Sequence, residues 1–145
     1  MLRGRFGDTT GRPYLEGRLI LPRLSLDADI SFLIDTGADS SLLSPADAHE
    51  MNVDYARLRG RTESLGTGGV AYSFVEPATV VLTDPGRSMY LFHVNLDIAS
   101  PSPDTLELPS LLGREILDRM LMTYDATNGV LRFKVRSADR IIPLR

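Results

Sequence analysis

Apolar and polar positions alternate at period two along much of this chain, and the elements they predict are mainly strands. A first strand is predicted over about Tyr14–Leu21 and a second over Ala28–Ile34. The second ends in the unbroken apolar run Phe32-Leu33-Ile34, as expected of a strand buried on both faces. Ala71–Val75, Ala78–Leu82 and Met89–Leu96 continue the β pattern. Between the last two, Thr83-Asp84-Pro85-Gly86 reads as a turn, because Pro presets φ and Gly accepts a positive φ. Asn128-Gly129 separates Met122–Tyr124 from Val130–Val135, a strong hairpin signal. Two short helices interrupt the strands. Ser44 offers an N-cap, followed by Pro45 at the first helical position and Asp47 at the third, so Pro45 to about Met51 should be helical. Apolar residues at Ile116, Leu117, Met120 and Leu121 predict an amphipathic helix over Arg114–Leu121. The fold class is therefore all-β with one or two short helices.

Composition narrows the options. At 145 residues the chain is long enough for one domain, residues 1–145, with a core that needs no staples. It has no Cys, which removes disulfides, thiolate metal sites, iron–sulfur clusters and cysteine nucleophiles. No apolar run approaches the roughly 18 residues of a membrane span, and the opening Met1-Leu2-Arg3-Gly4-Arg5 lacks the apolar stretch of a signal peptide. A net charge of −3 argues against nucleic acid as partner. The expectation is a cytoplasmic protein that binds neither membrane nor nucleic acid.

The chemistry lies where the second strand ends. Phe32-Leu33-Ile34 runs straight into Asp35-Thr36-Gly37-Ala38-Asp39. A carboxylate at the edge of a core is partly desolvated, the condition under which carboxyls become usable for proton transfer. Gly37 clears space beside it for a substrate or a second backbone, and Thr36 supplies a hydroxyl that can brace the loop. Asp-Thr-Gly alone is a weak signal, since Asp35 could simply cap a surface turn. Downstream, Leu111-Leu112-Gly113-Arg114 repeats the logic of an apolar pair, a glycine and then a helix. Between the two lies Gly66-Thr67-Gly68-Gly69, flanked by segments able to pair as a hairpin.

Taken together, these three features resemble the retropepsins, the retroviral-type aspartic proteases, over roughly Tyr14 to Val135. The resemblance implies a single-lobe acid protease barrel with a flap hairpin. It implies that Asp35 is the catalytic aspartate and that Thr36 braces the partner's loop across a dimer axis. Gly37 would receive a substrate N–H on its carbonyl. Ala38 stands where pepsin-type enzymes carry a hydroxyl, which implies activity nearer neutral pH. Asp39 would pair with Arg114, which follows Gly113, and tie the active-site loop to the C-terminal helix. Gly66, Thr67, Gly68 and Gly69 would form the flap tip. Arg12, followed by Pro13, resembles an N-terminal arginine that reaches the partner's loop. The chain is longer than the retroviral enzymes, and its apolar tail Ile141-Ile142-Pro143-Leu144 could serve at a dimer interface, with Pro143 confining it to an edge.

Peptide hydrolysis by this chemistry needs two carboxylates sharing a proton, and only one Asp-Thr-Gly is present. Asp125 and Asp84 read as turn acids. The expected enzyme is therefore a homodimeric aspartic endopeptidase with an Asp35/Asp35 dyad. It needs no metal or cofactor, and its substrate is polypeptide. The alternative is a catalytically weak or inactive dimer of the same fold that binds polypeptide or mediates assembly. His49 and His93 lack ligand partners at helical spacing and are expected to be ordinary surface residues. Arg57, Arg59 and Arg61 alternate as if along one side of a strand. Tyr72 and Phe74 could contact substrate or pack in the core.

Overall fold

The computed structural model describes residues 1–66 and 69–145, and side chains outside 63–71. Two very short strands open the chain, β1 (Leu2–Arg3) and β2 (Arg5–Phe6), followed by the long antiparallel pair β3 (Pro13–Leu21) and β4 (Leu26–Ile34). After β4 come β5 (Leu42–Leu43), α1 (Pro45–Glu50), β6 (Arg61–Gly66), β7 (Gly69–Asp84) and β8 (Ser88–Ala99). The last third holds β9 (Leu111–Leu112), α2 (Arg114–Leu117), β10 (Met120–Asp125), β11 (Val130–Val135) and β12 (Arg140–Pro143).

Six of these strands close a barrel. β3 pairs with β4, β4 with β9, β9 with β5, β5 with β8 and β8 with β7, and β7 returns to β3. The β4–β9 and β5–β8 pairings are parallel, and the other four are antiparallel. Closure leaves no edge around the ring, and its interior is filled by Leu19, Leu21, Phe32, Leu43, Leu82, Phe92, Leu96, Ile98 and Leu112, all fully buried. β1, β11 and β10 make a separate three-stranded sheet, in that order, with β10 at its edge.

Local sequence accounts for much of this. Ser44 caps α1 as its pattern requires, its Oγ accepting from Asp47 N at 3.2 Å. Gly86 takes φ 74° in the turn that joins β7 to β8. Gly129 does the same between β10 and β11, where Asp125 accepts from the backbone and side-chain nitrogens of Asn128.

Three expectations change. The helix predicted over 114–121 stops at Leu117, and β10 begins at Met120. The apolar residues at 120 and 121 belong to a strand, with Met120 turned inward and Leu121 49% exposed. Ala71–Val75 and Ala78–Leu82 form one continuous strand through Pro77. Pro is tolerated there because β7 changes neighbours: pairing to β6 ends at Phe74 and pairing to β3 starts at Thr79. Arg57 lies in a 3₁₀ turn, Tyr55–Arg57, and only Arg61 of the three arginines is in a strand, so they form no stripe.

The tail pairs within the chain, Arg140–Pro143 running antiparallel to Ser88–Leu91 of β8. No helix among the described residues is long and apolar enough to cross a membrane.

Candidate active site

β4 delivers Asp35 to the rim of the barrel, one residue past the buried Ile34. β9 then fixes it. Leu33 N donates to Ser110 O at 2.8 Å and Asp35 N to Leu112 O at 3.1 Å, so the catalytic candidate hangs on a strand nearly eighty residues away in sequence. The chain turns at once: Ala38 N donates to Asp35 O at 3.2 Å, and Gly37 N donates to Asp35 Oδ1 at 2.9 Å. One carboxylate oxygen of the half-buried Asp35 is thereby oriented by the loop. Thr36 and Gly37 are exposed beside it.

Gly113 explains why a glycine must follow the apolar pair of β9. A Cβ there would lie 2.6 Å from Ser40 C, 2.7 Å from Ser40 O and 3.0 Å from Ala38 O, all backbone atoms. The active-site loop crosses the chain at this point with no room for a side chain. Immediately after, Arg114 N donates to Ala38 O at 2.8 Å and Glu115 N to Asp39 O at 3.3 Å. The Arg114 guanidinium pairs with the Asp39 carboxylate and reaches Thr36 O from Nη1 at 3.4 Å. Asp35, Thr36, Gly37, Ala38, Asp39, Gly113 and Arg114 are thus brought into one constellation.

Sequence reasoning missed a second brace deeper in the loop. Ser41 is fully buried; its N donates to Glu115 Oε2 at 2.7 Å and its Oγ to Glu115 Oε1, while Gly113 N donates to Ser41 Oγ at 3.0 Å. A serine between a polar loop and the apolar Leu42-Leu43 was the only available signal. Behind it, the buried Ser110 donates to Asp47 Oδ2 at 2.6 Å and accepts from Ser44 N at 2.9 Å, anchoring α1 to the segment that precedes β9.

Other candidates fall away from this centre. Asp125 is the hairpin acid, its carboxyl held below the usual range chiefly by the Asn128 side chain. His49 is exposed, and His93 is exposed on β8 with its ring against Thr79 Oγ1 at 2.9 Å. Tyr72 lies under Arg61, whose guanidinium carbon is 3.9 Å from the ring centre, and Phe74 packs edge-on against Tyr55. Gly66 and Gly69 face each other at the end of the β6–β7 hairpin, while Thr67 and Gly68 lie outside the described residues. Among the described residues no other carboxylate hydrogen-bonds Asp35, and no cluster of His, Asp and Glu could hold a metal.

An Asp-Thr-Gly loop at the mouth of a closed single-lobe barrel, backed by a glycine-arginine turn, defines the acid protease class. The family description that matches residues 26–115 is "aspartyl protease". The chain belongs to this family, and its fold is retropepsin-like. Among solved structures it is similar to a retropepsin-like aspartic protease from Rickettsia conorii, with TM-score 0.60 and 20% identity over 88% of this chain and 94% of that one. It is also similar to the EIAV protease solved with an inhibitor, with TM-score 0.51 and 25% identity over 77% and 90% of the two chains. A search of curated proteins found no significant match.

Proposed function

We propose that this protein is a homodimeric aspartic endopeptidase in which Asp35 and its symmetry mate activate water between them. The observation that carries the reading is the oriented, half-buried Asp35, supplied once per chain by a loop braced from Gly113, Arg114 and Glu115. Two carboxyls about 3 Å apart share one proton. The ionised member takes a proton from water as it attacks the peptide carbonyl. The protonated member donates to the carbonyl oxygen, and the amide nitrogen is protonated as it leaves. A two-fold axis is the simplest way to bring a second Asp35 to that distance.

In this reading the exposed Thr36 faces such an axis and the β6–β7 hairpin covers an extended polypeptide as a flap; the exposure of Thr36 beside Asp35 and the antiparallel β6–β7 pairing support it. The free edge of β10, with Leu121 and Tyr124 about half exposed, offers backbone groups and apolar area to a second copy.

The test compares wild type with Asp35→Asn on an unfolded protein across about pH 4–7, where a shared-proton dyad titrates. Cleavage lost in Asp35→Asn with the dimer retained supports the reading. No cleavage by wild type at any pH would leave a polypeptide-binding module in its place.

A further inference from the structure

The face of β4 that carries Asp35 can be followed across the barrel by register. Alternate residues of a strand share a face, so Leu33 points to the same side as Asp35, while Ile34 points into the core. Leu33 pairs with Leu111, Leu111 with Leu42, Leu42 with Asp97 and Asp97 with Val75. All five members of this row are half-buried. The next row along runs Ile34–Leu112 and Leu43–Ile98, at 8%, 0%, 0% and 0% exposure. One row is the core. The other is turned away from the core, on the side of β4 that carries Asp35.

That row is apolar except for Asp97. Its backbone N donates to Ser41 O at 3.1 Å, which seats it against the end of the active-site loop. Three strand spacings of about 4.8 Å separate it from Leu33, about 14 Å along the sheet, or roughly four residues of an extended peptide. Among the described residues its carboxylate makes no hydrogen bond or ion pair. Its cross-strand neighbours are Val75 and Leu42, and Asn95 and Ala99 flank it on β8. Among the described cations, Arg23 pairs with the fully buried Glu76, Arg114 with Asp39, and Arg61 lies over Tyr72, while Arg59 is exposed beside Gly60, whose O accepts from Val75 N. A half-desolvated carboxylate among apolar walls is a poor host for an aliphatic side chain and a good one for a cation.

We infer that Asp97 is a specificity-determining residue of the substrate cleft, selecting a peptide with an Arg or Lys side chain at one subsite within a few residues of the scissile bond. The apolar members Leu33, Leu111 and Leu42 line the remainder of that wall and accept aliphatic or aromatic side chains next to it. This rests on the peptidase reading above only in that it places a peptide along the same face as Asp35.

The experiment separates the two claims by reading binding as well as cleavage. Random short peptides are captured on immobilised Asp35→Asn protein and sequenced, alongside Asp35→Asn/Asp97→Asn and Asp35→Asn/Asp97→Glu. The expected result is about tenfold enrichment of Arg and Lys at one position on Asp35→Asn, retained with Asp97→Glu and lost with Asp97→Asn. Cleavage-site sequencing with wild type and Asp97→Asn should show the same change. Equal cation enrichment with and without Asp97, or none on either, overturns the assignment. Absence of wild-type cleavage overturns the endopeptidase reading alone, because the capture result still judges Asp97.

Discussion

Gly113 and Ser41 are the residues on which the active-site loop depends most directly, and their variants should behave differently. Gly113→Ala forces a methyl into the Ser40 backbone, which cannot move without shifting Asp35, and should cost about 1–3 kcal/mol. Ser41→Ala leaves one Gly113 N–H and a Glu115 oxygen without their partner, a loss of about 1–3 kcal/mol. Thermal melts measure both, and cleavage should fall further than either melt implies because the loop carries Asp35. Asp97 offers a pH test. Half-burial pushes its carboxyl above the usual carboxylate range, so the fold favours the neutral acid. The associated stability is present below the ordinary carboxylate value and is lost as pH rises through the raised one. Asp97→Asn should therefore melt higher than wild type at about pH 7, and that gain should vanish near about pH 3.

At the scale of elements, β10 is a sheet-edge strand with exposed apolar side chains. It closes one side of the β1–β11–β10 sheet, and its outer edge carries the exposed Leu121. Leu121→Glu should shift the protein from dimer toward monomer in sedimentation without loss of strand signal in circular dichroism, and cleavage should fall with the dimer fraction. The end of that strand was legible in the sequence from its turn, but its start was not. Ile116, Leu117, Met120 and Leu121 satisfy a helical face as well as a helix end followed by a strand. Arg136 N bonding to Arg119 O and the pairing of Met120 with Val135 decide the matter, and both partners lie well downstream. By contrast, Tyr14–Leu21, Ala28–Ile34, the Ser44 cap and the Asn128-Gly129 turn were readable because each is settled within a few residues. β1 and β2 are two residues long and exist only through their pairing with β11 and β3. The site divides in the same way. Asp35 to Asp39, Gly113 and Arg114 carry motif spacing, whereas Glu115, Ser41 and Asp97 acquire their roles from strands that meet only in the folded barrel.

For the whole molecule, the dimer reading makes a quantitative demand. If wild-type and Asp35→Asn chains are unfolded together in equal amounts and refolded, about a quarter of random pairs carry two intact aspartates. Activity should fall to about a quarter of that of an all-wild-type sample at equal total protein. A monomeric enzyme would retain about half. A different consequence follows from the order in which the barrel closes. The two-residue strand β9 lies between β4 and β5, although β4 and β5 are separated in sequence only by the active-site loop. A chain emerging from the ribosome can make the β3–β4 hairpin early, yet the loop after Asp35 has nothing to hang on until Ser110 to Glu115 arrive. Closing that long gap is slow and entropically costly. Synthesis thus carries its own delay: the part of the chain made before Ser110, itself an extended polypeptide, emerges while the carboxyl that would activate water against it is not yet held in place.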